Sequence, residues 1–337
     1  MHDRFGKAII IGDACVDVTV PLTAILADTD RPPEDSALMP GLGGGGTSAN
    51  TAAALAKLGV GTSFMGTLGA DFGGRYIRKE FEELGIDTSM TLTDDTSNTV
   101  YVFAFIDKSG ERKLWAFPRT EMSYINYDLS RIDMEFIRTA SWVHASGMTI
   151  MFDGSLRRDL PLIFRTAHEA GVPTSFDLNT RVQDPAELDE GIRSSILETI
   201  PYVSYLLGSA RDEFYSFCPK DDWRDSVRSF AAPGRTVIAR LGGEGSLMIE
   251  DGRETEEPAL RIPVVNTTGA GDAFNAGFIA GKLRGLRTDQ AVVMAHAVAG
   301  YKISRGGARQ TPDMEELRGF AREQGLTELL SAGIQAI

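Results

Sequence analysis

The chain has 337 residues, of which 42% are hydrophobic and 24% charged, proportions typical of a folded globular protein. Lys and Arg total 34 against 47 Asp and Glu, and the resulting net charge of −13 argues against nucleic acid as the main partner. The two cysteines, Cys15 and Cys218, exclude a disulfide framework and fit a cytoplasmic protein, and the sequence predicts neither a membrane span nor a signal peptide.

The first predicted strand is the apolar run from Lys7 to Gly12, which suits a buried parallel strand. Asp13 and Asp17 follow it in the sequence G-D-A-C-V-D. Taken alone, either carboxylate is best interpreted as an ordinary loop residue. The segment therefore predicts the beginning of a sheet and assigns no chemistry by itself.

The glycine-rich stretch from Gly41 to Gly59 includes a predicted alanine-rich helix over Asn50 to Leu58, whose small side chains allow close packing on a sheet. Three of its glycines satisfy G-x-G-x-x-G. A dinucleotide fingerprint, however, joins the first strand to the first helix, and the first strand ends near Gly12. We therefore reject a dinucleotide-dependent oxidoreductase as the leading interpretation.

Two alternating apolar runs, Thr99 to Ile106 and Arg112 to Phe117, flank the sequence D-K-S-G and predict a β-hairpin with one apolar face. An isolated hairpin is marginally stable and needs cover. The hairpin belongs either to a small separate sheet or to the surface of the main sheet.

Polar residues gather where two later strands end. V-P-T-S-F-D-L-N-T-R predicts a strand with Asp177, Asn179 and Arg181 at its carboxyl end, where parallel α/β proteins bind ligands. Thr236 to Ile249 predicts a strand, a glycine turn and a second strand, and turn glycines alone are ordinary.

The stretch from Val264 to Gly281, V-V-N-T-T-G-A-G-D-A-F-N-A-G-F-I-A-G, carries the strongest chemical signal. Val264 and Val265 are predicted to end a strand, and a helix is predicted from Asp272 onward. Free N–H groups and the helix dipole would form an anion site beside the Asp272 carboxylate. That pairing suits phosphoryl transfer to an alcohol, although a helix cap after a tight turn explains the same residues.

T-T-G-A-G-D resembles the second signature of the ribokinase-like, or PfkB, carbohydrate kinases, usually written D-T-T-G-A-G-D. The glycine-rich stretch before Asn50 resembles the first signature, G-G-x-x-x-N-x-A. The resemblance implies that Asp272 is the catalytic base and that the amides of Gly269, Ala270 and Gly271 form the anion hole.

The resemblance also implies which residues bind the phosphate acceptor. Asp17, five residues after Gly12, would accept hydrogen bonds from sugar hydroxyls, and Asn50 would donate to one. The D-L-N-x-R pattern is similar to the subset that includes ketodeoxygluconate kinases and fructokinases. The implied acceptor-binding residues are Asp17, Gly45, Gly46, Asn50, Asp177 and Asn179.

The implied nucleotide-binding residues are Ser209, Gly242, Gly243, Gly245 and Thr268. The family's N-x-x-E motif, which supports the metal through water, is degenerate here: Asp212 takes the place of Glu, and a one-residue shift offers Glu213 instead. Asn266 stands where the family usually has an Asp that helps to hold either a monovalent cation or the network of metal and phosphate. ATP and Mg²⁺ are therefore implied, whereas K⁺ is in doubt.

Strands alternate with helices, which predicts an α/β protein with a mostly parallel sheet between helices. The resemblance implies one ribokinase-like domain over residues 1–337, with a small β lid around 13–20, 36–44 and 99–118. The lid often packs on a second copy, so a homodimer is implied as well.

The resemblance implies ATP-dependent phosphorylation of a hydroxymethyl group on a small sugar. A nucleoside kinase of the same family and a non-catalytic relative that binds sugar or nucleotide are the alternatives. No nucleic acid or membrane partner is expected.

Overall fold

The computed structural model describes residues 7–21, 41–106, 112–180, 188–327 and 329. The main sheet of these residues contains nine strands: β1 (Ala8–Ile11), β4 (Thr62–Gly69), β5 (Thr91–Asp94), β8 (Trp142–Ser146), β9 (Thr174–Asp177), β10 (Tyr205–Ser209), β11 (Thr236–Arg240), β12 (Ser246–Glu250) and β13 (Arg253–Glu257). Their spatial order is β13-β12-β11-β10-β9-β8-β1-β4-β5. Neighbouring strands from β11 to β5 are parallel, and β12 and β13 are added antiparallel, so the predicted mostly parallel sheet is confirmed.

Helices cover both faces of this sheet. The described helices are α1 (Thr47–Lys57), α2 (Phe72–Glu83), α3 (Glu135–Arg138), α4 (Ser155–Glu169), α5 (Glu190–Thr199), α6 (Tyr215–Phe217), α7 (Trp223–Arg228), α8 (Ala270–Leu283), α9 (Thr288–Ile303) and α10 (Met314–Glu323). Because strand side chains alternate between faces, Ile10 of β1 packs with α1, α8 and α9, whereas Ile9 and Ile11 pack with α4 and α5. Both faces are therefore buried, as a parallel sheet requires. Within the described ranges, no helix combines the length and the hydrophobicity needed to cross a bilayer.

A second sheet contains β2 (Cys15–Pro21), β3 (Gly41–Gly45), β6 (Val100–Ile106) and β7 (Arg112–Phe117), in the order β3-β2-β6-β7. The predicted hairpin is confirmed as the antiparallel pair β6–β7, and it does not belong to the main sheet. β2 pairs in parallel with β6 and antiparallel with β3. Residues 36–40 and 107–111 of the predicted lid lie outside the described residues.

Helix α1 begins three residues before the predicted helix start at Asn50. Asp13 explains the difference, because its carboxylate accepts hydrogen bonds from the Thr47 amide at 2.8 Å and the Ser48 amide at 3.1 Å. A side chain from the end of β1 thus satisfies the free amides of the first turn.

Val264 and Val265 do not end a strand, so that prediction is wrong. Both side chains are exposed, and the backbone from 258 to 266 is irregular. The amides of Val265 and Asn266 donate to the carbonyl oxygen of Ile303, at the end of α9, at 2.8 and 3.1 Å. These donors are satisfied by a helix terminus rather than by a neighbouring strand.

Candidate active site

The loop before α8 ends in a left-handed residue. Gly269 has φ = 78°, a conformation that glycine adopts without steric cost, and an added methyl group would lie 3.1 Å from the Ala308 carbonyl oxygen. Helix α8 begins at Ala270, so Asp272 lies in its first turn, and this side chain is only 7% exposed.

Backbone donors and one guanidinium gather at this helix start. Helix geometry leaves the first-turn amides, including that of Gly271, without intrahelical acceptors. The Ala270 amide donates to the Thr267 carbonyl at 3.0 Å, and the Thr268 amide donates to Asn266 Oδ1 at 2.9 Å. A methyl group added to Gly271 would lie 3.7 Å from Arg240 Cζ. The helix dipole and Arg240 therefore both make this end of α8 favourable for an anion.

Asn50 and Asp272 are in direct contact, although 222 residues separate them in the chain. Asn50 Nδ2 donates to Asp272 Oδ2 at 2.9 Å, and both side chains are less than a tenth exposed. The contact joins α1 to α8 side by side. The two glycine-rich segments that carried the chemical prediction thus meet at one place.

Asp17 lies on β2, against the glycine-rich strand β3. A methyl group added to Gly45 would lie 2.3 Å from Asp17 Oδ1, so only glycine leaves room for this carboxylate. Gly46 has φ = 93°, and a methyl group there would lie 2.7 Å from Ala14 Cα. Burial raises the pKa of Asp17, and a hydrogen bond from Cys15 Sγ opposes that shift.

Arg309, which is not among the predicted site residues, joins the Asp17 region to Asn50. Its guanidinium donates to Asn50 Oδ1 at 3.2 Å and to the Gly45 carbonyl at 3.0 Å, and it forms an ion pair with Glu80 of α2. Its charge also opposes the upward shift of the Asp17 pKa. The signal available in the sequence was its position in the closing stretch R-G-G-A-R-Q-T-P.

A second polar cluster lies at the carboxyl ends of β9 and β11. Asp177 accepts from Arg240 at 2.7 Å and from Asn275 of α8 at 2.6 Å, and Arg240 also donates to Asn275 Oδ1 at 2.9 Å. Both carboxylate oxygens of Asp177 are therefore engaged within the protein. Asn179 follows with φ = 29°, and Arg181 lies outside the described residues. Arg240 was not among the predicted site residues, but its position as a charged residue at the end of an apolar strand could have indicated it.

Ser209 precedes a π-helical turn that spans Ala210–Phe214. The two acids of this turn, Asp212 and Glu213, point in different directions. Glu213 is buried, accepts from the Ser209 amide at 2.7 Å and lies 3.7 Å from Arg240. Burial and the charge of Asp177 raise the pKa of Glu213 to about 7. Asp212 is exposed and accepts from the Ser209 hydroxyl at 2.8 Å. Of the two acids considered for the N-x-x-E motif, Glu213 is therefore the one that lies near Arg240 and Asp177.

The turn between β11 and β12 carries the three glycines that were predicted to border a nucleotide. A methyl group added to Gly242 or Gly243 would meet no atom within 4 Å, whereas one on Gly245 would lie 2.0 Å from the Glu257 carbonyl. The first two glycines therefore border open space, and the third allows close backbone packing. Among the described residues, no group of three or more His, Cys, Asp or Glu side chains is arranged to hold a metal ion.

Comparison with known proteins identifies the family of the chain. A model of the pfkB family of carbohydrate kinases matches residues 7–315. The ATP-dependent ribose-1-phosphate kinase of Halopiger xanaduensis is 29% identical over 282 residues, 83% of this chain and 87% of that protein. The aminoimidazole riboside kinase of Salmonella typhimurium is 29% identical over 296 residues, 85% of this chain and 90% of that protein.

The fold has a close match among solved structures. A putative Ribokinase II from E. coli, in complex with ATP and Mg²⁺, superposes with a TM-score of 0.80 over 95% of this chain and 100% of that one, at 18% sequence identity. At that identity the match concerns the fold, and it confirms the predicted ribokinase-like arrangement.

Proposed function

The chain belongs to the pfkB family and is a carbohydrate kinase, and on that premise we propose that it transfers the γ-phosphoryl group of ATP to a hydroxymethyl group of a small sugar. The observation that carries this proposal is the contact between Asn50 and Asp272 beside the loop that precedes α8. The proposed base, the anion site and the acceptor-binding amide then lie together at the start of α8.

In the proposed reaction, the oxygen of the acceptor hydroxyl forms a bond to the γ-phosphorus, and Asp272 accepts the proton of that hydroxyl. The bond between that phosphorus and the bridging oxygen breaks, and ADP leaves. The amides of Gly269 and Gly271, with the dipole of α8, stabilise the charge on the transferred group. The Ala270 amide, which donates to Thr267, helps by fixing the turn.

Asp17 and Asn50 are the proposed ligands of the acceptor hydroxyls, because a carboxylate accepts and an amide donates. Gly45 and Gly46 allow the acceptor to approach the backbone. Asp177 acts indirectly in this proposal: it orients Arg240, whose guanidinium lies near Gly271.

Mg²⁺ takes oxygen ligands, keeps several waters, and when bound neutralises charge on the nucleotide phosphates. Two carboxylates lie next to Ser209: the buried Glu213, 3.7 Å from Arg240, and the exposed Asp212. We propose that Glu213 holds it through water, with Ser209 next to the phosphates. The exposed Asp212 remains the second candidate.

We propose that turnover does not require K⁺. The ammonium of Lys302, a fully buried residue of α9, donates to the Asn266 carbonyl at 2.8 Å, just before the loop that leads to α8. The Lys302 ammonium therefore already supplies a positive charge at Asn266, the position where the family usually has Asp.

The small sheet is proposed to act as a lid within a single kinase domain over residues 1–337. Strand register places Asp17, Val102 and Ala116 on one face and Val18, Phe103 and Trp115 on the other. The rings of Phe103 and Trp115 are in contact, tilted by 37° with their centres 5.3 Å apart, and Trp115 is 47% exposed. We propose that this outer apolar face packs on a second copy.

An acceptor panel tests the proposed function. Both relatives at 29% identity are named for substrates that contain ribose, so the panel includes ribose, ribose 1-phosphate and a nucleoside, together with fructose and 2-keto-3-deoxygluconate. We expect ATP-dependent formation of one phosphorylated product, identified by mass spectrometry, with equal release of ADP. Preference for the nucleoside would favour the nucleoside-kinase alternative, and no product from any sugar or nucleoside would overturn the proposal.

A further inference from the structure

Arg309 is a largely buried arginine that contacts three separate elements. It donates to Asn50 Oδ1 of α1 and to the Gly45 carbonyl of β3, and it forms an ion pair with Glu80 of α2. Its side chain is 10% exposed. A cation this far buried is retained only with good partners, and the Glu80 carboxylate supplies the opposite charge.

The surrounding backbone is shaped to admit this side chain. A methyl group on Gly44 would lie 2.0 Å from Arg309 Nη1 and 2.0 Å from Glu80 Oε2, so only glycine leaves space for the ion pair. Lys57, at the end of α1, donates to the Arg309 carbonyl at 2.7 Å. Both the backbone and the side chain of Arg309 are therefore held in place.

The partners of Asn50 decide which way its amide group points. A guanidinium has only donors, so the Asn50 atom that faces Arg309 must be the oxygen. The Asn50 nitrogen is then directed at Asp272 Oδ2, 2.9 Å away. Reversing the amide would place two donors together at Arg309 and two acceptors together at Asp272, which loses both hydrogen bonds.

We propose that Arg309, held by Glu80, is a positioning residue for phosphoryl transfer: it orients Asn50, and Asn50 in turn holds the carboxylate of Asp272. Arg309 itself does not touch the reacting atoms in this scheme. The proposal rests on the proposed function for its kinetic consequence, because Asp272 is the proposed base. Its structural consequence, the orientation of Asn50, stands independently of any substrate.

The kinetic test is a double-mutant cycle with Arg309→Met and Asn50→Ala. We expect Arg309→Met alone to lower kcat about tenfold or more with a small change in the KM for ATP, and Arg309→Lys to recover part of the loss. Because Arg309 acts through Asn50, we expect adding Arg309→Met to Asn50→Ala to cause little further loss. Two independent effects that multiply in kcat would overturn the proposal.

Arg284→Met is the matched control. Arg284 also links α8 to α1, but at their opposite ends, where it donates to the carbonyls of Ala280 and Leu58. Its loss is expected to lower the unfolding temperature and to leave kcat within about twofold of the wild-type value. A fall in kcat equal to that of Arg309→Met would mean that the loss of any partly buried arginine has this effect, and would overturn the proposal.

A crystal structure of the Arg309→Met variant separates this inference from the kinase assignment. We expect the Asn50 amide to have moved more than 3.5 Å from Asp272 Oδ2. If the wild-type protein phosphorylated no acceptor, the proposed function would fail, and this structure would still decide the positioning role. An unchanged contact between Asn50 and Asp272 would overturn it whatever the activity.

Discussion

Asp272 is the residue on which the proposed chemistry depends, because it joins the start of α8 to Asn50. Its replacement by Asn keeps the size of the side chain and an oxygen for the Asn50 hydrogen bond, but removes the proton acceptor. General-base catalysis contributes roughly 10²–10⁴-fold, so we expect Asp272→Asn to lower kcat by at least about 100-fold with acceptor binding retained. Steady-state kinetics and calorimetry measure the two effects, and a kcat within tenfold of wild type contradicts the base assignment.

Lys302 is the residue proposed to make turnover independent of K⁺, because its ammonium contacts the Asn266 carbonyl. We expect wild-type kcat to agree within about twofold in potassium and tetramethylammonium chloride at matched ionic strength, and Lys302→Met to lower kcat in both salts. Lys282→Met is the control, since Lys282 is a partly buried lysine of α8 that donates to Thr288 instead. Strong activation of the wild-type protein by K⁺ would contradict the proposal.

Glu213 should make stability depend on pH. Its pKa is raised to about 7 in the folded protein, above the unfolded value of roughly 4.3, so the native state binds the extra proton between these values. Stability is then highest below the lower value and falls as pH rises toward 7. We expect the unfolding temperature of Glu213→Gln to rise relative to wild type between about pH 5 and pH 7. An equal pH dependence in both proteins would exclude this residue as the cause.

At the scale of elements, the sequence patterns predicted what depends on local spacing. The parallel strands, the β6–β7 hairpin and the helix after the T-T-G-A-G loop follow from hydrophobic period and turn residues. Val264 and Val265 led to a wrong prediction of a strand, because β-branched residues favour strands. In the structure, the backbone amide of Val265 donates instead to the carbonyl oxygen of Ile303 at the end of α9. Arg309 and Glu80 could not be paired in advance, since 229 residues separate them and their contact depends on how α2 packs beside β3.

Helix α1 depends on a cap supplied by another element. Asp13 accepts from the amides of Thr47 and Ser48 and from the Thr47 hydroxyl. We expect Asp13→Ala to lower the free energy of unfolding by about 1–2 kcal/mol, and Asp13→Asn to lose less because its amide oxygen still accepts. Urea unfolding gives both values. Equal losses in the two variants would show that the cap is not responsible.

At the scale of the whole molecule, one face of the small sheet carries Asp17 and the other carries the aromatic side chains of Phe103 and Trp115. The aromatic face is the one through which two copies are proposed to associate. We expect Trp115→Glu to place a charge on the outer apolar face and to convert a dimer to a monomer in sedimentation or light-scattering measurements. Leu114→Glu is the matched control, because Leu114 is exposed on the opposite face of the same strand. A wild-type monomer at micromolar concentration contradicts the proposed interface.

The contact between Asn50 and Asp272 also has a consequence for synthesis. Translation runs from the amino end, so every described strand of both sheets has been synthesised before residue 272 is added. A nascent chain that stops after β13 would contain all the strands and Asn50, yet it would lack the carboxylate that this asparagine meets. Phosphoryl transfer should therefore be absent from such stalled chains and arise only when the last quarter of the polypeptide has docked.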